Sequence, residues 1–275
     1  MQADVKFSVL LSLYFKEKPE YLHECLESLI TQTLLPNEIV IVFDGPLSFE
    51  LESIVENLKT EIPLKILRLE ENVGLGKALN LGLKICSYSY VARMDTDDIC
   101  RPDRFEKKMC FLLKNPDVSM LGSSINEFDG ELKREKKLPL YHQDIINYSK
   151  MKNPFNHMSV IFKKESIKNV GGYRHHLYME DYNLWLRLLH GGFLTANLNE
   201  SLLDVRVGNS MIEKRKGSKY LKSEVGLYKL KKNLGIDQGW SLYFNFVIRF
   251  VMRLLPIIIL SKVYEVERGG KNKIK

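Results

Sequence analysis

The chain has 275 residues, of which 45% are hydrophobic and 27% charged, and it holds 9 prolines; this composition is typical of a folded protein and excludes disordered, collagen-like and low-complexity chains. Its formal net charge is +7, unevenly spread. Residues 211–275 carry 15 Lys or Arg against 5 Asp or Glu, a balance of +10, which leaves −3 for residues 1–210. A basic tail on a mildly acidic body indicates an anionic partner, either nucleic acid or a membrane surface.

The cysteine pattern and the N-terminal residues indicate in which cellular compartment the protein is expected. The four cysteines form no C-x-x-C pair and have no zinc-ligand spacing with the six histidines, so we expect reduced thiols in a cytosol. The apolar run near the N-terminus has no basic segment before it and no small-residue cleavage site, and we therefore expect no signal peptide.

From residue 5 to about 122, apolar β-rich runs alternate with helical ones. The strand candidates are VKFSVLLSLY, EIVIVF, LKILRLEE, YSYVARM and VSMLGS, and helical segments such as PEYLHECLESLITQT separate them. This alternation predicts crossover units in a mostly parallel sheet with helices on both faces. The expected fold class is a Rossmann-like α/β layer.

After about residue 123 the alternation loosens. Short candidate strands appear (INEFDG, ELKREKKL, MSVIFKK, FLTANL and LLDVRV), and DYNLWLRLLHG predicts a helix ending at Gly191 and Gly192. A basic helical stretch and a very apolar stretch follow. We therefore divide the chain into a body of residues 1–210, with halves at about 1–122 and 123–210, and a basic and amphipathic helical region of residues 211–275.

The segment VARMDTDDICRPDR places Asp95, Asp97 and Asp98 directly after an apolar strand. Clustered carboxylates at the carboxyl end of a strand in an open α/β sheet lie where ligands bind, and Mg²⁺ or Mn²⁺ prefers such oxygen ligands. The alternative is an Asp-rich turn that caps the helix starting near Pro102. Three mutually repelling carboxylates favour the ligand interpretation.

A second acidic segment, YMEDYNLWLRL, places Glu180 and Asp181 at the start of a helix. Taken alone, such residues most often act as a cap, and the helix N-terminus favours their charged form. Combined with the first cluster, a carboxylate from a different segment suits a displacement reaction, in which one site holds a leaving phosphate and the other takes a proton.

Weaker signals lie at other strand ends. Ser12 and Tyr14 end the first strand and Asp44 ends the second, where a nucleotide base could lie, but taken alone these residues are better explained by ordinary turn chemistry. NVGLGKAL, which begins at Asn72, lacks the third glycine of the dinucleotide fingerprint. His157 has no readable nucleophile partner, and a lone histidine is more often structural.

These segments together resemble a family 2 inverting glycosyltransferase with a GT-A fold. The likeness is to bacterial enzymes that build O-antigen, capsule or exopolysaccharide repeat units, including amylovoran-type transferases, and it covers about residues 5–210. It rests on eight segments in order: SVLLSLY, LESLITQT, EIVIVFDGP, NVGLGKALNLGL, ARMDTDDICRPDRF, NPFNHMSVIFKK, GGY and MEDYNLWLRL.

The resemblance implies roles for individual residues. Residues 1–122 would bind the nucleotide and residues 123–210 the acceptor. Many family members read D-D-G-S where this chain has Phe43-Asp44-Gly45-Pro46. The implied roles are metal binding (Mn²⁺ or Mg²⁺) by Asp97 and Asp95, donor-nucleotide binding by Ser12, Tyr14, Asp44, Asn72, Gly74 and Asp95, catalysis by Asp181 as general base, and candidate acceptor or diphosphate contacts by Glu180, His157, Arg206 and Arg215.

The implied reaction moves a hexose, glucose or galactose in a β-1,3 linkage, from a UDP-sugar to an undecaprenyl-diphosphate-linked saccharide. The rival interpretation is a catalytically silent, membrane-associated subunit that binds a nucleotide sugar. Nucleic-acid binding lacks a motif or regular aromatic interleaving. The basic run at residues 214–216 either folds over the diphosphate or forms a solvated face.

The stretch from Trp240 to Leu260 is 21 residues long, enough to span a bilayer. Arg249 and Arg253 argue against spanning, because each would cost roughly 2.5 to 3.5 kcal/mol at the centre of a membrane helix. We expect this helix to lie in the interface on the cytoplasmic face of the cell membrane. The alternative is that it packs on the protein's own core.

Overall fold

The computed structural model describes residues 5–254 apart from residues 59, 131 and 208–217. Strands and helices alternate in the first half, as the sequence predicts. These elements are β1 (Phe7–Leu13), α1 (Pro19–Ile30), β2 (Glu38–Phe43), α2 (Phe49–Glu56), β3 (Leu64–Arg68), α3 (Leu75–Ile85) and β4 (Tyr90–Arg93).

The second half is mixed and ends in two helices. Its elements are β5 (Ile99–Cys100), α4 (Arg104–Lys114), β6 (Met120–Asp129), β7 (Leu132–Lys136), α5 (His142–Ser149), a 3-10 turn (His157–Ser159), β8 (Ile161–Lys163), α6 (Lys164–Asn169), α7 (Glu180–His190), β9 (Thr195–Arg206), α8 (Ser218–Leu234) and α9 (Gly239–Leu254).

Local sequence signals explain several helix ends. Pro19 lies in the first turn of α1, where its missing N–H would have no helical partner in any case. The side chain of Ser48 accepts a hydrogen bond from the Leu51 N–H and caps α2. Helix α7 ends at the predicted glycines, and Gly192 has a φ of +76°, a conformation that favours glycine.

The buried strands divide their side chains between two apolar clusters. In β1, Val9 and Leu11 pack with α1, α2 and α4 on one face, and Leu10 packs with α3, α6 and α7 on the other. This follows from the two-residue period of a strand. Each fully buried aliphatic side chain contributes about 1.5–3 kcal/mol, so the sheet is the centre of the core.

The sheet confirms the α/β fold class and adds detail to it. Its strand order is β3-β2-β1-β4-β8-β6-β9-β5, with β7 paired to β6. The first four strands are parallel, whereas β8 runs antiparallel to both of its neighbours. The sheet is therefore parallel in its first half and mixed beyond β4.

The sequence divides two long strands wrongly. VSMLGS and INEFDG contribute to the single strand β6, and FLTANL and LLDVRV contribute to the single strand β9. Strands β6 and β9 pair in parallel with register shifts beside Ser123 and Ser124. Such irregularities bend a strand locally without ending it. The polar residues between the two apolar runs of each strand are the reason that the sequence predicts two short strands instead of one.

The last helix packs on the protein through its arginines. Arg249 and Arg253 of α9 both bind the carboxylate of Glu224 in α8, which is 1% exposed. Trp240, Phe244 and other apolar side chains of α9 point to solvent. The helix thus turns its two arginines inward, beside the buried Leu242. Pro256 and the isoleucines that follow it lie outside the described residues. Within the described residues, no helix combines the length and apolar character needed to cross a membrane.

We expect Glu224→Gln to lower the free energy of unfolding by about 3–5 kcal/mol, because it removes the carboxylate that two largely buried guanidinium groups share. Urea unfolding followed by circular dichroism measures this. The control is Glu165→Gln, which removes an ion pair with Lys168 whose glutamate is 71% exposed and should cost less than about 1 kcal/mol. Equal effects would contradict a supporting role for Glu224.

Candidate active site

Polar side chains follow four neighbouring parallel strands. Ser12 and Tyr14 lie at the end of β1, Asp44 follows β2, residues 72–74 follow β3, and three aspartates follow β4. Because β3, β2, β1 and β4 are adjacent and parallel, these positions meet at the carboxyl edge of the sheet, where open α/β folds bind ligands. The structure thus brings the predicted donor-side residues to one edge.

The carboxylates of Asp95, Asp97 and Asp98 form a compact cluster, with one ligand atom of each within 4.8 Å of the others. The predicted alternative, a cap on α4, does not match the structure. The residue that precedes α4 is Asp103, whose side chain makes no capping hydrogen bond. Asp98 Oδ1 instead accepts a hydrogen bond from the Arg206 backbone N–H at 3.1 Å.

The electrostatics of this cluster suit a divalent cation. Burial and the neighbouring charges of Asp95 and Glu17 raise the pKa of Asp97 to about 7, and burial together with its two neighbours raises the pKa of Asp98. Asp98 Oδ2 is buried and has no hydrogen-bond partner among the described residues. Carboxylate oxygens are the ligands that Mg²⁺ and Mn²⁺ take, and the cluster therefore fits such an ion.

Arg93 is a buried cation beside these carboxylates. It ends β4, its side chain is 1% exposed, and it forms an ion pair with Asp95. Its charge opposes the rise that burial causes in the pKa of Asp97, of Asp98 and of Asp181. Sequence reasoning overlooked Arg93, although an arginine within the apolar strand YVARM was a signal.

Asp44 organises a junction between two loops. Its carboxylate accepts hydrogen bonds from the Val73 N–H at 2.7 Å and the Gly74 N–H at 3.1 Å, and the Asn72 side chain donates to its carbonyl. The close approach requires glycine at position 45, which has a φ of +89° and whose added Cβ would lie 2.7 Å from the Asn72 nitrogen. The loop of residues 72–74, which contains the predicted donor-binding residues Asn72 and Gly74, thus holds Asp44 in place.

Asp181 lies in the first turn of α7, and its Oδ2 accepts a hydrogen bond from Asn153 Nδ2 at 2.6 Å. Burial raises the pKa of Asp181, although the Asn153 amide and the Arg93 charge oppose this rise. Burial also raises the pKa of the adjacent Glu180. Asn153 was not predicted, because it is 28 residues from Asp181 and no local pattern relates the two.

Three further residues were predicted as acceptor or diphosphate contacts, and their surroundings differ. His157 Nε2 lies 2.8 Å from the Tyr173 hydroxyl, and burial holds its pKa well below the usual range, as in a structural histidine. The Arg206 guanidinium donates to the Asp97 carbonyl at 2.8 Å and pairs with Glu24, so it supports the acidic segment. Arg215 lies outside the described residues.

A protein-family model described as glycosyl transferase family 2 matches residues 8–171, more than half of the chain. The match includes the whole donor-side edge and the acidic cluster.

The chain belongs to this glycosyltransferase family. Relatives that match nearly its full length include two with named activities or pathways. The amylovoran biosynthesis glycosyltransferase AmsE of Erwinia amylovora is 51% identical and covers 96% of this chain and 100% of its own. The UDP-Gal:alpha-D-GlcNAc-diphosphoundecaprenol beta-1,3-galactosyltransferase of Escherichia coli is 38% identical, with coverage of 94% and 95%.

Solved structures share the fold of this family 2 glycosyltransferase at low sequence identity. S. aureus TarS 1-349 in complex with UDP has a TM-score of 0.65 and 18% identity, and covers 98% of this chain and 76% of its own. The mannosyltransferase PcManGT of Pyrobaculum calidifontis, in complex with GDP-Man and Mn²⁺, has a TM-score of 0.64 and 14% identity, with coverage of 98% and 82%. The likeness confirms the GT-A fold.

Proposed function

We propose that this glycosyltransferase moves a glucose or galactose from a UDP-sugar to an undecaprenyl-diphosphate-linked saccharide, with inversion, in the synthesis of O-antigen, capsule or exopolysaccharide. The observation that carries the proposal is the single sheet edge that holds the donor-side residues and the acidic cluster, with Arg93 acting on both that cluster and Asp181. The name of the Escherichia coli relative supports the donor and acceptor classes.

The donor nucleotide would lie along the carboxyl edge. Ser12 and Tyr14 would line the uracil, and Asp44 would contact it while it holds the loop of Asn72 and Gly74 beside the donor. Tyr14 is 38% exposed and is available for stacking on a base. The UDP complex of S. aureus TarS supports this placement by shared fold.

The acidic cluster would hold a Mn²⁺ or Mg²⁺ ion. Asp97 and Asp95 would be its ligands, and Asp95 would also lie near the ribose or donor sugar. When bound, the ion offsets negative charge on the departing diphosphate. Asp98, whose oxygen Oδ2 is buried without a partner among the described residues, gives the cluster further oxygen donor capacity.

Asp181 would act as the general base. Its carboxylate takes the proton of an acceptor hydroxyl while the hydroxyl oxygen bonds to the anomeric carbon from the side opposite UDP. The bond between that carbon and the diphosphate oxygen breaks, and its electron pair leaves with UDP. A single displacement converts an α-linked donor to a β-linked product, and we propose a β-1,3 linkage because the Escherichia coli relative makes one by name.

We expect UDP to bind in a Mn²⁺-dependent way and Asp97→Ala to weaken that binding at least about tenfold, since a charged metal ligand is lost. Calorimetric titration with UDP, with and without Mn²⁺, measures this. Asp103→Ala is the matched control, because this nearby aspartate pairs with Lys107 at the surface and its loss should leave UDP binding unchanged. No UDP binding by the folded wild-type protein under any condition would overturn the donor assignment.

We expect Asp181→Asn to lower kcat by a factor of about 10²–10⁴, the range of a lost general base, with UDP affinity within about twofold of wild type. Transfer is measured with UDP-glucose and UDP-galactose and a lipid-diphosphate-linked saccharide. Asp144→Asn, an exposed aspartate in the first turn of α5, is the control. Near-wild-type turnover by Asp181→Asn would contradict the assignment, and UDP binding without any transfer by wild type would favour a silent subunit.

We further propose that the protein docks on the cytoplasmic face of the cell membrane through an apolar face of α9. Trp240 is 83% exposed, Phe244 66% and Leu254 60%. Aromatic and aliphatic side chains on a single helical stripe suit the lipid interface, and exposed lysines of α8 such as Lys219 and Lys222 add attraction to anionic lipid. The residues of this face are Trp240, Tyr243, Phe244, Val247, Ile248, Val251 and Leu254.

We expect the double variant Trp240→Ser/Phe244→Ser to lower partitioning into phosphatidylcholine and phosphatidylglycerol vesicles by about tenfold or more, because two large apolar groups are lost. Vesicle flotation measures the bound fraction. Phe49→Ser is the matched control, since Phe49 is 88% exposed on α2, outside this face. Unchanged partitioning of the double variant would contradict the proposal, and self-association that the variant abolishes would show instead that the face pairs with a second copy.

A further inference from the structure

Residues 149–153, which run from the last residue of α5 to Asn153, are held at three successive backbone carbonyls. The donors are side chains of α7, α8 and α9. They are the Tyr182 hydroxyl to the Ser149 carbonyl at 2.6 Å, Lys231 Nζ to the Lys150 carbonyl at 2.6 Å and the Arg249 guanidinium to the Met151 carbonyl at 2.7 Å.

This segment ends at Asn153, whose side chain is oriented by two hydrogen bonds. Its Oδ1 accepts from the Phe155 N–H at 3.3 Å, and its Nδ2 donates to Asp181 Oδ2 at 2.6 Å. The first bond determines which end of the amide faces Asp181. The amide therefore presents a donor to one carboxylate oxygen and restricts rotation of that carboxylate.

We propose that Asn153 is a positioning residue for Asp181, and that α8 and α9 hold it in place through Lys231 and Arg249. The proposal rests on the assignment of Asp181 as the general base. It gives the C-terminal helices a part in catalysis that is separate from membrane docking. The active site would then extend to a region of the chain beyond the sheet.

A carboxylate that acts as a general base must be deprotonated, and its oxygen must point at the proton that it removes. A donor amide favours the charged form of a carboxylate. Loss of the Asn153 amide should therefore raise the pKa of Asp181, and activity, which needs the charged form, should then fall off at a higher pH than in the wild type.

Other groups also act on Asp181, and they stay in place when Asn153 is replaced. The charges of Arg93 on β4 and Lys136 on β7 oppose the rise that burial causes in its pKa. Titratable groups that interact with it are Glu180 and Tyr182 on the same helix and Tyr173 and His176 in the segment before it. A shift in an Asn153 variant is therefore attributable to the lost amide.

Arg249 and Arg253 offer a matched comparison. Both bind Glu224, so replacing either weakens the contact between α8 and α9. Only the Arg249 variant removes the bond to the Met151 carbonyl, and the Arg253 variant retains that bond. A difference between the two variants at residues 149–153 therefore measures the support of this segment itself.

The test uses the full-length protein with the variants Asn153→Leu, Arg249→Met, Arg253→Met and Asp181→Asn. We expect Asn153→Leu to lower kcat by about 10- to 100-fold, the scale of a hydrogen bond to a charged group, with UDP–Mn²⁺ affinity and donor KM within about twofold. The acid limb of its pH–rate profile should move up by about one pH unit. Hydrogen exchange at residues 149–153 should be faster in Arg249→Met than in Arg253→Met.

Carbon-13 NMR of the Asp181 carboxyl gives a readout that needs no substrate, and its pKa should rise in Asn153→Leu. Unchanged kcat, pH profile and carboxyl pKa in that variant, with Asp181→Asn inactive, would overturn the positioning role and leave the base assignment standing. An active Asp181→Asn would overturn the base and this proposal together. Parallel loss of UDP–Mn²⁺ affinity and kcat in Asn153→Leu would show a general structural role and overturn the proposal.

Discussion

The ion pair between Arg93 and Asp95 is the interaction on which the candidate active site depends. Four carboxylates, of Asp95, Asp97, Asp98 and Asp181, are partly or fully buried, and such groups repel one another and resist charging without a nearby cation. Arg93 supplies that cation from β4 with 1% exposure. A charge at this depth is tolerated because its carboxylate partner is adjacent, so the arginine and the acidic cluster need each other.

Two further buried basic side chains lie near this ion pair and bind backbone carbonyls. Arg104 of α4 is fully buried and donates to the carbonyls of Arg93 and Met158. Lys108, one turn later, donates to the carbonyls of Leu121 and Ser159. These two basic side chains donate to carbonyls at the end of β4, in β6 and in the 3-10 turn, and thereby connect three parts of the fold that meet at the site. Burial lowers the pKa of Lys108 well below its usual range, and a buried carbonyl left without a donor would be costly.

A buried carboxylate also determines how the C-terminal helix α9 is oriented. In α9 the arginines face the protein because Glu224 offers them a buried carboxylate, and a row of apolar side chains on the opposite face is consequently left exposed. The same orientation brings Arg249 to the Met151 carbonyl, next to the segment that ends at Asn153. One helix thus presents an apolar face to its surroundings and a cationic face to the segment beside Asp181.

The sequence by itself determined which residues lie at the strand ends. Apolar runs alternating with helices predict parallel strands, and parallel strands collect their carboxyl ends at one edge, so Asp44 and the three aspartates after β4 could be grouped without coordinates. Only the tertiary structure decided what these residues touch. Asp44 binds amides about 30 residues away, and Asn153 binds Asp181 across 28 residues. Helical periodicity likewise placed Arg249 and Arg253 on one face of α9, but which face meets the protein depended on Glu224. Local patterns encode periodicity and strand ends, whereas the partner of a buried polar group is set by which distant segment the packing brings within hydrogen-bond distance.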